Sequence, residues 1–173
     1  NDKAIDQLVQ LTKEFSNTRQ IIAAYIELGK IYLSSGNMTE SGNWFRKVMD
    51  NSRIANGNEK DEATYFLALK DYFAGNFDEA KNRFRQITLN PESDAANDAL
   101  NKISFLEDNK TFVEPLANYA KAEYLVYQKK LNEASEEFLK VAESSSNSPL
   151  GESSLIKAAE LNLILINLLI VET

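Results

Sequence analysis

Two pairs of adjacent carboxylates are the residues of this chain whose types could perform acid–base chemistry. They are Asp61-Glu62 and Glu136-Glu137. Two carboxyl groups act together in glycoside hydrolysis when they flank one bond. Neighbouring residues on an α-helix point about 100° apart, because the helix has about 3.6 residues per turn. Neither pair can therefore share a face, and we interpret both as solvated surface charge.

The composition removes most other catalytic chemistry. The 173-residue chain contains no Cys and no His. It therefore lacks thiol nucleophiles, imidazole bases, Ser-His-Asp triads and the usual zinc ligands. It also lacks a Gly-rich phosphate-binding loop. We predict no catalytic residue, no metal and no cofactor, and we do not expect an enzyme.

The charge of the chain disfavours two classes of partner. The net charge is −7, and the Lys and Arg residues are interleaved with acids. Nucleic-acid binding requires a basic stripe, and anionic lipid surfaces attract basic segments. We expect neither a nucleic acid nor an anionic membrane surface as the partner.

One three-residue pattern occurs four times along the chain and indicates helices. A small residue is followed by a large apolar residue four positions later and by an aliphatic residue three positions after that. The copies are Ala4-Leu8-Leu11, Ser41-Phe45-Val48, Ala80-Phe84-Ile87 and Ala134-Phe138-Val141. Such spacing places all three residues on one face of a helix.

Helical periodicity covers nearly the whole chain. The predicted helices are 2–15, 18–34, 38–50, 60–74, 77–89, 92–107, 113–128, 131–144 and 150–171. Ser16-Asn17 can cap the second helix, Gly36 and Gly75 mark tight turns, and Asn90-Pro91 ends the fifth helix. The small residues recur at intervals longer than about 34 residues. The helix at 92–107 accounts for the longest interval.

The chain resembles the tetratricopeptide-repeat family. The first unit carries Leu28-Gly29, Tyr32, Gly36, Ser41, Phe45 and Val48. The second carries Leu67-Ala68, Tyr72, Gly75, Ala80, Phe84, Ile87 and Pro91, and the third Ala122, Ala134, Phe138 and Val141. Lys129 occupies the usual position of the turn glycine, and Asp71 stands where an aromatic residue is common. The resemblance implies an all-α fold, a right-handed superhelical array of antiparallel helix pairs.

We expect a single domain over residues 1–173. Its repeats are 18–50, 60–91 and 113–144, with an extra helix at 92–107. We interpret the helix 2–15 as the second helix of a pair and the helix 150–171 as the first helix of a further repeat. The chain is therefore expected to be a piece of a longer array.

The resemblance also implies a concave groove lined by the first helix of each pair, which would bind a peptide or a partner protein. The matching positions are Lys30 in the first pair, Tyr65, Leu69 and Tyr72 in the second, and Tyr119, Glu123 and Tyr127 in the third. Tyrosine suits such a surface because it combines a large contact area with a polar tip. The alternative is that some of these tyrosines belong to the core. Ile26 stands where a carboxylate-clamp Lys would be, so that binding mode is not expected.

The C-terminal run 161–171 is almost entirely apolar. With 11 residues it is shorter than the ~20 residues of a membrane-spanning helix. We predict a buried terminal helix that packs on further sequence or on a partner chain, with Leu165 and Leu169 as interface candidates. A membrane-contacting tail and self-association through 161–171 are the alternatives.

Two segments, Asp94–Leu100 and Ser148–Leu155, are similar to the helix that follows an Asn-Pro or Ser-Pro turn in bacterial cell-envelope repeat proteins. This similarity implies an interaction scaffold in the periplasm or at the outer-membrane periphery, with the cytoplasm as the other location. A non-catalytic superstructure of a larger cell-wall enzyme and a self-assembling structural module are the competing functions.

Overall fold

A computed structural model describes residues 2–15, 18–51 and 53–171. These residues form nine α-helices and no strand. The helices are α1 (Asp2–Glu14), α2 (Gln20–Ser34), α3 (Met38–Asp50), α4 (Gly57–Phe73), α5 (Phe77–Thr88), α6 (Ala96–Asp108), α7 (Val113–Tyr127), α8 (Leu131–Ser144) and α9 (Pro149–Val171). The predicted all-α fold of consecutive helix pairs is confirmed.

The helices belong to two compact units. Unit 1 comprises Asn1–Tyr72 and Asn76–Phe105, and unit 2 comprises Phe73–Gly75 and Leu106–Thr173. Unit 1 therefore contains α1 to α3, nearly all of α4, α5 and most of α6, whereas unit 2 contains α7 to α9. The expectation of a single domain over 1–173 stays a prediction.

The repeated three-residue pattern forms the centre of each unit. Three of its four copies are completely buried, each residue being 0% exposed. These copies are Ser41-Phe45-Val48 and Ala80-Phe84-Ile87 in unit 1, and Ala134-Phe138-Val141 in unit 2. In α1 the corresponding Ala4 is exposed and Leu8 and Leu11 are half-buried. The pattern thus marks the internal helix pairs rather than the first helix.

Close approach of α2 and α3 depends on the absence of a side chain at Gly29. A Cβ atom built there would lie 2.5 Å from Cε1 of Phe45. The Phe45 ring stacks in turn on Phe66 of α4, with ring centroids 5.2 Å apart. Tyr65 then meets Phe84 of α5 edge to face at 5.5 Å. A continuous series of ring contacts therefore joins α3, α4 and α5.

Asp71 explains one departure from the family pattern. Its buried carboxylate lies 2.6 Å from Nζ of Lys70 and 2.7 Å from Nε of Arg83 on α5. A buried charge is tolerated when it is paired and hydrogen-bonded. An ion pair between α4 and α5 therefore replaces the aromatic packing expected at this position.

Three of the turns share a residue with left-handed backbone geometry. Gly36 and Gly75 have φ of 93° and 77°, as expected for turn glycines. Lys129, which occupies the glycine position after α7, has φ of 61°. A residue with a Cβ adopts this geometry at a cost of about 1–2 kcal/mol. The third turn therefore keeps the backbone shape of the other two without the glycine.

Two helix starts differ from the sequence prediction by three residues or more, and both differences have local causes. α4 begins at Gly57 rather than at 60, because Asn56 and Glu59 form a reciprocal cap. The Glu59 amide donates to Asn56 Oδ1 at 2.9 Å, and the Asn56 amide donates to Glu59 Oε2 at 2.8 Å. α6 begins at Ala96 rather than at 92, because backbone bonds from Ser93 to Asn90 and from Ala96 to Ser93 form turns. The predicted cap at Ser16-Asn17 lies outside the described residues.

Most of 161–170 is exposed within the described chain, and the predicted packing of 161–171 on further sequence or on a partner chain stays a prediction. The first half of α9 packs on α8 through the buried Leu150, Ser154, Ala158 and Leu161. α9 has 23 residues and α8 only 14, and Ser135, near the start of α8, already pairs with Asn162. The end of α9 therefore extends beyond α8. Leu165 is half-buried, and the large apolar residues around it are 46–66% exposed.

The comparison of the C-terminal apolar segment with the length of a membrane-spanning helix also changes. Pro149–Ile170 is long and apolar enough to cross a membrane, with a mean hydropathy of 1.6 in its most apolar stretch, of which 17% is buried. The sequence argument compared only the 11 residues of 161–171 with the length of a membrane span, although it predicted a helix over 150–171. The absence of a membrane span stays a prediction.

We predict opposite effects of the same substitution at two helical glycines. Gly29→Ala should lower the free energy of unfolding by about 1–3 kcal/mol, because the new methyl group would displace the buried Phe45 ring. Gly42→Ala, the matched control, should raise it by up to about 1 kcal/mol through helix propensity, since its nearest neighbour, Lys70 Cδ, is 3.5 Å from the new Cβ. Denaturant unfolding followed by circular dichroism measures both, and equal effects at the two sites would contradict this packing.

Candidate partner-binding groove

Two adjoining depressions form one groove on the surface of unit 1. The smaller has a volume of about 200 Å³ and is lined by Ala23, Ile26, Glu27, Lys30, Glu59 and Glu62. The larger has a volume of about 400 Å³ and is lined by Asn56, Asn58, Glu59, Glu62, Tyr65, Ser93, Asp94, Ala95 and Asp98. Glu59 and Glu62 line both, so the two depressions are neighbours on either side of these side chains.

Helix periodicity explains which side chains face the groove. On α2 the lining residues recur at three- and four-residue steps, from Ala23 to Lys30. On α4 the residues Glu59, Glu62 and Tyr65 recur every three positions. Residues this far apart share one face of a helix. The third wall is the turn and first helical residues from Ser93 to Asp98.

Lys30 is held in a fixed position at the α2 end of the groove. Its ammonium lies 2.7 Å from Oε1 of Glu62 and 3.0 Å from Oε1 of Glu27. It also lies 5.2 Å from the centre of the Phe66 ring. Partial burial alone would lower the pKa of Lys30, but the hydrogen bonds and the attraction of the two carboxylates outweigh it and raise the pKa. Lys30 therefore stays charged and links α2 to α4.

Glu59 and Tyr65 are also oriented by neighbours. Glu59 caps α4 through Asn56 and lies 3.5 Å from Nε of Arg19. The half-buried Tyr65 ring contacts the rings of Phe66 and Phe84. These side chains present a surface that is formed before any partner arrives.

The groove is acidic. Among the described lining residues there are five carboxylates, at Glu27, Glu59, Glu62, Asp94 and Asp98, and one basic group, that of Lys30. Lys30 offsets charge at the α2 end, whereas Asp94 and Asp98 stand at the α6 end. A concave surface lined by one sign of charge concentrates the electrostatic field and attracts groups of the opposite sign.

In unit 1 only some of the predicted groove residues lie at the surface. Lys30 and Tyr65 line the groove, together with Glu62 between them. Leu69 and Tyr72 are buried, so their assignment to an exposed surface is corrected. Tyr72 is covered from two elements, since its ring centre lies 5.8 Å from that of Phe77 on α5 and 4.5 Å from Nζ of Lys102 on α6.

In unit 2 the assignment of Tyr119 to a surface is also corrected. Tyr119 is 3% exposed, with its ring 5.1 Å from that of Phe138 and its hydroxyl 3.2 Å from Oγ of Ser153. It is therefore a core residue that links α7 to α8 and α9. Glu123 and Tyr127 are half-buried, and Tyr127 contacts Phe73 at 5.9 Å between ring centres. Their role in binding stays a prediction.

Sequence reasoning missed the polar wall of the larger depression. Asn58, Ser93, Asp94 and Asp98 lie outside the repeat pattern, so the resemblance could not indicate them. The available signal was the Asn90-Pro91 turn, which returns the chain towards α4. Asn90 Nδ2 donates to Oδ2 of Asp61 at 2.7 Å and fixes this return.

The two carboxylate pairs behave as the helix geometry requires. Asp61 bonds to Asn90, whereas the adjacent Glu62 bonds to Lys30. Glu137 pairs with Lys121 and Lys140, at 3.2 Å and 3.0 Å, and these cations lower its pKa. Within the described residues, no group of three or more acidic side chains is placed to hold a metal ion.

Paired helices packed around buried small residues define a helical-repeat protein. Residues 22–53 match the family model of the tetratricopeptide repeat. This match spans α2, α3 and the turn between them, and it confirms the recognition made from the sequence. Comparison with curated proteins and with solved structures gives no match.

We predict an alkaline loss of stability that depends on Tyr119. Burial, with repulsion from the Glu123 carboxylate, raises the pKa of Tyr119 to about 12 from 10.0. Because the folded state keeps the phenolic proton longer than the unfolded state, the stabilising contribution is complete below pH 10 and is lost as the pH rises towards 12. In Tyr119→Phe, the decrease in the free energy of unfolding between pH 10 and 12 should be smaller by up to about 2 kcal/mol.

Ser153→Ala is the control for Tyr119→Phe. It removes the hydrogen-bond partner but keeps the ionisable phenol, so the alkaline loss should remain. Denaturant unfolding at several pH values from 8 to about 12 measures the difference. An identical pH dependence in wild type and Tyr119→Phe would contradict the core placement of this hydroxyl.

Proposed function

We propose that the groove of unit 1 binds an extended, positively charged segment of a partner protein. Tetratricopeptide repeats generally mediate protein–protein interactions, and the chain carries such a repeat at 22–53. The observation that supports this proposal best is the pair of adjoining acidic depressions between α2, α4 and the start of α6.

The size of the groove favours a segment over a folded surface. Depressions of about 200 and 400 Å³ accommodate a few side chains each. An extended peptide places successive side chains in neighbouring pockets and leaves its backbone outside. We therefore expect a short linear segment to supply most of the contact.

The order of charges along the groove gives the segment a direction. Lys30, already paired with Glu27 and Glu62, disfavours a second cation at the α2 end. Asp94 and Asp98 at the other end favour Lys or Arg. Ala23 and Tyr65 offer apolar surface on either side of Glu62. We expect a small apolar side chain of the partner near Ala23 and a basic side chain near Asp98.

Preorganisation reduces the cost of binding. Glu59, Glu62 and Tyr65 are held by contacts within unit 1. Side chains that are already ordered lose less conformational freedom when a partner binds. The rigid helix pairs thus serve the proposed scaffold role, and the proposal assigns the chain no reaction. A periplasmic location and membership in a larger cell-wall enzyme stay predictions from the sequence.

Selection from a displayed library of random 12-residue peptides tests the groove. Peptides retained by wild type should be enriched in Lys and Arg. The double variant Asp94→Asn, Asp98→Asn should weaken their binding about tenfold, and added salt should reduce the difference, because screening weakens charge attraction. Fluorescence anisotropy of one selected peptide measures both effects.

The double variant Glu133→Gln, Glu136→Gln is the matched control. It removes the same net charge from exposed positions of α8 and should leave the affinity unchanged. Equal weakening in the two double variants would show a general charge effect and overturn the groove assignment. A retained pool without basic enrichment would overturn the proposed partner chemistry.

A further inference from the structure

α9 carries an exposed apolar stripe along its length. Leu155, Ala159, Leu163, Ile166 and Ile170 recur at steps of four, four, three and four residues, which places them on one face. Ile156 and Leu169 stand at its edges, and these large side chains are 54–66% exposed. The stripe extends over about 22 Å, at about 1.5 Å per residue. We refer to these seven residues as the α9 stripe.

The α9 stripe lies on the opposite side of the helix from α8. Leu150, Ser154, Ala158 and Leu161 form the buried face of α9. The Ser135 hydroxyl of α8 donates to Asn162 Oδ1 at 2.9 Å and fixes the register of this packing. At about 100° per residue, the centre of the stripe is roughly 150° away from the buried face. A partner can therefore cover the stripe while α9 stays packed on α8.

The charged residues beside the α9 stripe favour a second helix, rather than a lipid bilayer, as the partner that covers the stripe. Lys157 and Glu160 form an ion pair at 3.2 Å, at the same level along α9 as Leu155 and Ala159. A bilayer deep enough to cover the whole stripe would also surround this ion pair, and burying charges in hydrocarbon is costly. A second helix needs to cover only the apolar face.

We propose that the α9 stripe is the contact of a homodimer in which two α9 helices pair antiparallel. A two-fold axis between residues 162 and 163 would bring Leu155 of each copy to Ile170 of the other, and Ala159 to Ile166. Small residues then face large ones, as required for close packing of helices. The same stripe serves both copies, which is the condition for a closed two-fold interface.

The area of the stripe is sufficient for such a dimer. A Leu or Ile side chain exposed to this degree presents roughly 100 Å² to water, so the six large side chains on two copies bury on the order of 1,000 Å². Specific interfaces begin near this size. The contact contains no charged side chain, which matters because each copy has a net charge of −7 and would repel another through most of its surface. Leu165, the other interface candidate from the sequence, is half-buried and lies off the stripe.

Sedimentation velocity of the 173-residue chain over a range of concentrations tests the dimer. The wild type should sediment as a dimer at micromolar concentration, and Leu163→Lys with Ile166→Lys should raise the dissociation constant at least a hundredfold. Leu89→Lys with Leu100→Lys is the control, since both residues are exposed apolar residues outside α9. It should leave the dimer intact, and unchanged helical circular dichroism should show that both variants fold.

The absence of Cys from the chain allows the register to be tested by single-cysteine cross-linking. Leu163→Cys lies beside the proposed axis and should form a disulfide-linked dimer under mild oxidation. Leu155→Cys should not, because antiparallel pairing separates the two copies of residue 155 by about 22 Å, beyond disulfide reach. The pair Leu155→Cys, Ile170→Cys should restore the cross-link.

Three results would overturn the homodimer, and a fourth would overturn its antiparallel arrangement. One is a wild-type monomer at every concentration, and another is a dimer that persists in Leu163→Lys, Ile166→Lys. The third is a wild-type chain that is monomeric in buffer but floats with phosphatidylcholine vesicles, which would assign the stripe to lipid. Rapid cross-linking of Leu155→Cys alone would overturn the antiparallel arrangement.

Discussion

The packing of each helix pair depends on a small buried residue that lets two helices approach closely. Ser41, Ala80 and Ala134 occupy this position, and each is 0% exposed beside an equally buried phenylalanine four residues later. At the first pair the approach is so close that Gly29 has no room for a Cβ beside Phe45. Since α2 and α4 are positioned through Phe45 and Phe66, the walls of the groove depend on the same contact.

The acidic groove arises where the repeat pattern is interrupted. The extra helix α6 covers Tyr72, and the turn before it closes the larger depression with Ser93, Asp94 and Asp98. The segment inserted between the second and third repeats therefore supplies the two aspartates at this end of the groove.

The helices could be predicted from the sequence because their cause is local: the apolar spacing that indicates α3 and α8 also gives their bounds. The burial of the groove residues could not be predicted from the sequence, because it depends on contacts with helices that are distant along the chain. The family resemblance assigns Tyr72 and Tyr119 to the groove, yet Tyr72 contacts α5 and α6 and Tyr119 contacts α8 and α9. Apolar residues are buried only where another element is long enough to cover them, and within the described chain α8 is too short to cover the end of α9.

The most direct test of the packing account is the free energy of unfolding of two variants at Ser41. Within the described residues its buried hydroxyl has no hydrogen-bond partner, and a buried polar group left unpaired costs about 1–3 kcal/mol. Ser41→Ala should therefore raise the free energy of unfolding by about 1 kcal/mol, whereas Ser41→Val should lower it by about 1–3 kcal/mol because the larger side chain separates the helices. A Ser41→Val protein as stable as Ser41→Ala would contradict the claim that a small residue is required at this contact.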